Sequence, residues 1–60
     1  MDLEIQAELM KMVKSNKSVY SIFHTSLCTL YKVYRKKLID EKQFQKDYNA
    51  LLFKCSLMTR

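Results

Sequence analysis

Neither glycine nor proline occurs anywhere in this chain. Tight hairpins and turns at positive φ depend on those residues, so a fold of short strands joined by tight turns is disfavoured from the outset. The hydrophobic pattern points to helices instead. Between residues 18 and 38, Tyr20, Phe23, Leu27, Leu30 and Tyr34 recur at spacings of three, four, three and four. On a helix those five side chains form one ridge, broadened by Val19, Tyr31 and Leu38, with Ser21, Thr25, Thr29, Lys32 and Lys36 on the opposite side. Such a ridge needs something to pack on, and the segments before and after it each offer an apolar face of similar length.

The first of these segments predicts a helix over residues 2–14, with Asp2 as N-cap and Lys11 and Lys14 in the last turn, where cations oppose the helix dipole. Leu3, Ala7, Met10 and Val13 lie together, and Ile5, Leu9 and Met12 extend that surface past half of the circumference. A helix so broadly apolar is expected to touch two bodies, such as its own hairpin and a second chain. A short polar connection follows, in which Ser15, Asn16 or Ser18 can cap the next helix, with Ser18 favoured. The central helix is predicted over 18–37, closing with Arg35, Lys36 and Lys37.

Asp40 followed three residues later by Gln43 is a capping-box variant, and Ile39 before the cap with Phe44 in the first turns is a hydrophobic staple. Two independent devices agree on one helix start, giving a third helix over 40–57. Its stripe is Phe44, Tyr48, Leu51, Cys55 and Met58, matched to that of the second. The short connection around Leu38 to Asp40 makes the two helices an antiparallel αα-hairpin. Ala50, Phe53 and Leu57 fall outside the stripe, so either the first helix covers them or they form a dimer or partner surface. The expected fold is all-α: one small domain of three short helices around a central antiparallel αα-hairpin, dimeric or stabilised by a partner.

Leu30-Tyr31, then Leu38-Ile39-Asp40-Glu41, Phe44 and finally Leu51-Leu52 give residues 27–52 a pattern that resembles the SHOCT type of short helical hairpin. In that family a leucine-rich helix is followed by a turn, an Ile-Thr-Glu-like helix start, a phenylalanine and a terminal Leu-Leu. This chain departs from the pattern at the turn, where the family usually has glycine and Lys37 stands here, and at the cap, where threonine becomes Asp40. The resemblance implies an oligomerisation or interaction role and carries over no catalytic residue.

A chain of 60 residues buries only ~60% of its unfolded surface, so its single core is marginal and needs support. Two cysteines and one histidine, with no CxxC or HxxxH pair, argue against a zinc site within one chain. A bridge between Cys28 and Cys55 is conceivable, but Cys55 sits in an apolar stripe, where a small buried thiol needs no oxidation. The reduced, intracellular reading leaves oligomerisation or a partner as the support. The start, Met1-Asp2-Leu3-Glu4, is acidic where a secretory signal would be basic. The longest uncharged run, residues 18–31, holds seven Ser, Thr, His or Cys residues and is too short and polar to span a bilayer. A cytoplasmic protein is expected.

Enzyme readings fail on their chemistry. Three short helices leave little interior for a pocket of convergent polar groups. His24 lies at the edge of the apolar face with no acidic residue a turn away to orient it, which favours a boundary imidazole over a general base. Cys28, one turn beyond His24, completes the only pair that would bind a stray metal or form an activated thiolate, but no third group follows. Asp40 and Glu41 have a capping role, Asp47 stands beside Lys46, and Glu4 and Glu8 face solvent. A phosphate loop is impossible without glycine. No catalytic residue, metal ligand or cofactor is assigned.

The basic balance, eleven Lys and Arg against six Asp and Glu, is the remaining feature with functional content. Lys32, Arg35, Lys36 and Lys37, followed by Lys42 and Lys46, form a patch able to neutralise phosphates without reading bases. Nine of the eleven cations are lysine, however, whereas phosphate and base forks favour arginine. The densest run also falls where a helix C-terminus wants cations anyway. Nucleic-acid binding is therefore the second reading, and a membrane-surface role is weaker still, because the third helix offers the apolar ridge a protein partner. The first reading is a non-enzymatic regulator that binds protein, with Ile5, Leu9, Met12, Phe53 and Leu57 at the interface, since each lies outside its helix's main stripe. Heavy use of Lys, Ile, Asn, Tyr, Phe and Met suggests A+T-rich coding DNA. That bias suits a phage or mobile-element product that occludes a host enzyme or toxin.

Overall fold

The structure is a computed structural model that describes residues 3–59. They form three helices and no strand: α1 (Leu3–Ser15), α2 (Lys17–Arg35) and α3 (Glu41–Met58). All three helices pack against one another. Tyr34 meets Phe44 beside the α2–α3 turn, at 4.7 Å between ring centroids, and Phe23 meets Tyr48 further along at 6.1 Å, so α2 and α3 run antiparallel. Gln6 near the start of α1 donates to the Asn49 carboxamide of α3 over 2.8 Å.

The first junction is one residue long. Asn16 adopts extended backbone (φ −116°, ψ 106°), and its Oδ1 accepts the amides of Ser18 and Val19 at 3.1 and 3.2 Å. The N-cap is therefore Asn16 rather than Ser18, and α2 begins earlier than the periodicity implied. Asn and Ser cap about equally well, so packing decides: with a single residue between the helices, Val13 and Val19 both enter the core. The expected Asp2 cap lies outside the described residues.

The second junction solves a harder problem. Helix α2 ends at Arg35, not Lys37, with Lys36 as C-cap. Lys37 then takes φ = 62°, and the amides of Lys37 and Leu38 bond to the carbonyls of Tyr34 and Val33 at 3.0 and 3.2 Å. This pair of bonds is a Schellman cap, which normally places glycine at the left-handed position. With no glycine in the chain, a lysine holds it, at a steric cost of about 1–2 kcal/mol. The helix stops here because orphan carbonyls must be satisfied before the chain can turn.

Helix α3 starts as its signals foretold, in part. Asp40 is extended (φ −89°, ψ 179°), and its Oδ1 accepts the Gln43 amide at 2.8 Å. The return half of the box does not form: Gln43 Nε2 donates to Asp47 Oδ1 at 2.9 Å instead.

The core consists of Leu9, Val13, Val19, Phe23, Leu52 and Cys55, with Met10, Met12, Leu27, Tyr48 and Leu51 packed against it. This differs from the two matched stripes. Tyr20 is 38% exposed while Val19 is buried beside Phe23, and Met58 is exposed while Leu52 is fully covered. Helix α3 faces two neighbours, so its buried arc is wider than a heptad seam and takes in Leu52 and Ser56 as well as Phe44 and Cys55. Ser56 is fully buried and donates its hydroxyl to the Phe53 carbonyl at 2.6 Å, which satisfies it. Both thiols are free, Cys28 exposed and Cys55 buried. Burial pushes the Cys55 thiol above its ordinary value, partly offset by the neighbouring Lys54 charge.

Candidate binding surfaces

Of the five residues expected at an interface, Leu9 is buried in the core and Met12 packs against it. Both are used up within the chain, because α1 turns its broad apolar arc onto α2 and α3 together. Ile5, Phe53 and Leu57 stay outside, at 52, 50 and 46% exposure. Phe53 and Leu57 lie one turn apart on α3 and share a helical side with Ala50, also exposed. That side is turned away from the arc of Leu52, Cys55 and Ser56, so α1 does not cover it. Lys46 and Lys54, both exposed, flank it. Sequence reasoning missed the exposure of Ile22 and Met58, and also of Leu3, Tyr31 and Leu38, which it had placed on apolar faces.

All six residues of the expected basic patch, Lys32, Arg35, Lys36, Lys37, Lys42 and Lys46, are exposed. The first four gather at the α2–α3 turn. Two adjoining depressions open there, one lined by Tyr31, Tyr34 and Arg35, the other by Tyr34, Arg35, Lys37, Leu38, Ile39 and Asp40. The Phe44 ring packs against both tyrosines, its centroid 5.1 Å from that of Tyr31 and 4.7 Å from that of Tyr34. Tyr34 is half-buried, while Tyr31 and Leu38 remain exposed. Aromatic side chains with polar tips beside cations suit protein contact as well as phosphate contact.

His24 and Cys28 face solvent on α2, with Cys28 Sγ 3.9 Å from His24 Nδ1. The Tyr20 ring stands 6.3 Å from the imidazole. Among the described residues no carboxylate bonds to the pair, and no group of three or more His, Cys, Asp or Glu side chains could hold a metal. This is a polar contact on a helix surface, without the third group that would steer a proton or fix a tautomer. No helix among the described residues is long and apolar enough to cross a membrane.

Comparison with protein families, with curated proteins and with solved structures finds no match.

Proposed function

We propose that this protein is a small cytoplasmic regulator that works by binding protein, covering a site on its partner and performing no chemistry of its own. The observation that carries this reading is the outer side of α3, where Phe53 and Leu57 stand half-exposed one turn apart although the chain already has a closed core. Large apolar groups clustered on a surface are costly in water and are a mark of association. Ile5 adds a third such group on α1. The first occupant to test is a second copy of this chain, which would also relieve the marginal core of so short a polypeptide. The A+T-biased residue usage supports a phage or mobile-element origin, and with it a host enzyme or toxin as the final target.

Light scattering on the wild type and on Phe53→Asp tests the reading. The wild type is expected to exceed the mass of one chain, and the variant to return to it while remaining folded. A stable single-chain mass for both removes the interface argument.

The exposed cations at the α2–α3 turn support a second reading, in which the protein binds nucleic acid through phosphates. Affinity for duplex and single-stranded DNA across a salt series decides it: log affinity must fall steeply with log salt concentration, and a flat response eliminates the reading.

A further inference from the structure

The tip of the α2–α3 hairpin carries three features that the fold does not need. Lys37 holds φ at 62°, in a position where glycine would be free of the Cβ clash. A neutral, unstrained cap is thus one substitution away, and the charge at this point comes at the expense of stability. Leu38 follows at the position whose apolar side chain normally folds back over the last helical turn of a Schellman cap. Here it is 71% exposed, so its contact surface is left for something else. Finally, Arg35, Lys36 and Lys37 are all exposed, and none forms an ion pair among the described residues. The one carboxylate in the depressions, Asp40, is engaged by the Gln43 amide as the cap of α3.

Helix-dipole compensation explains cations in the last turn of α2. It explains neither a strained backbone under one of them nor a bare leucine beside it. We infer that the hairpin tip is a docking site for an acidic segment of a partner protein, which sets an apolar side chain against Leu38 and Tyr31 and its carboxylates against Arg35 and Lys37. The excess of exposed cations at the tip, with Arg35, Lys36, Lys37 and Lys42 against Asp40 and Glu41, selects an anionic occupant by complementarity. Leu38 selects protein over nucleic acid, since a phosphate backbone gains nothing from an aliphatic side chain. The inference rests on the protein-binding reading above but uses a different surface, at the far end of α3 from Phe53 and Leu57.

The test is a titration of the isotope-labelled full chain, followed by amide chemical shifts, with three probes. They are a short glutamate-rich peptide with leucine at every fourth position, a polyglutamate of equal charge, and a short DNA duplex. The leucine-bearing peptide is expected to shift amides from Tyr31 to Asp40 and to bind about tenfold more tightly than polyglutamate, the scale set by burying one aliphatic side chain. Lys37→Gly is expected to raise the thermal midpoint and yet weaken the peptide by about threefold, consistent with the loss of one exposed charge contact. Such opposite movement is what a purely structural residue would not give. Unchanged peptide affinity in Lys37→Gly overturns the inference, as does equal or tighter binding of polyglutamate or the duplex, or no binding by any probe. Shifts centred on Phe53 and Leu57 overturn it too, while leaving the broader protein-binding reading standing.

Discussion

Leu52 and Phe53 are neighbours in sequence and opposites in structure. Leu52 is fully covered, in contact with the core built by α1 and α2, whereas Phe53 is half-exposed on the far side of α3. By composition alone the two sides of the helix are hard to tell apart, since Phe44, Leu51, Leu52 and Cys55 face Ala50, Phe53 and Leu57. What separates them is geometry: a helix in a three-helix body has two neighbours, and the arc they cover is wide but not complete. The lesson is that apolar content beyond what that arc can hide is surplus to the fold. On α3 that surplus falls at Phe53, Leu57 and Met58, each about half exposed.

Substitutions on the two sides should therefore differ sharply. Leu52→Ala leaves a cavity in the best-covered part of the core and is expected to cost about 2–5 kcal/mol in chemical denaturation. Phe53→Ala, measured at high dilution, should cost less than about 0.5 kcal/mol. Similar losses for both would break the comparison, because Phe53 would then belong to the core.

Next in size is the effect of alkaline pH on the inner side. Burial raises the Cys55 thiol above its ordinary value, so the folded chain keeps its proton where the unfolded chain releases it. The contribution is fully present below the unfolded pKa and is lost as pH rises through the folded one. The unfolding free energy should accordingly decline above pH 9, and Cys55→Ala should reduce that decline.

The two junctions sharpen the same point on a smaller scale. Asn16→Ala and Asp40→Ala each remove a side-chain acceptor for helix amides, at about 1 kcal/mol apiece. Lys37→Gly should instead stabilise by about 0.5 kcal/mol: relief at the left-handed position outweighs the added freedom of the unfolded chain. Destabilisation by Lys37→Gly would mean that the φ of 62° carries no strain.

Much of the architecture could be read from residue order. The Asp40 cap, the α2–α3 hairpin and the all-helical class follow from local signals that act within a few residues. The buried sets were harder, because a heptad stripe describes a helix with one neighbour. Leu52, one residue off its stripe, and Val19, expected only at the margin of its ridge, are buried because a third helix widens the contact arc. Leu9 and Met12 went the same way: α1's broad apolar arc signalled two contacts, and both proved to be within the chain. The Asn16 cap was not legible either, since three polar residues compete there with nearly equal propensity and only the packing of Val13 and Val19 separates them. Phe53 and Leu57 were recognisable as outsiders to their stripe. Whether α1 reaches them is a question of three-dimensional packing that periodicity does not address.

The central claim is that the outer side of α3 exists to be covered by protein. Its most direct test is the thermal unfolding midpoint of the wild type and of Phe53→Asp, each followed over a wide range of protein concentration. Association through this side predicts a wild-type midpoint that climbs with concentration and a variant midpoint that does not, the two converging at high dilution. Midpoints independent of concentration in both proteins would contradict it.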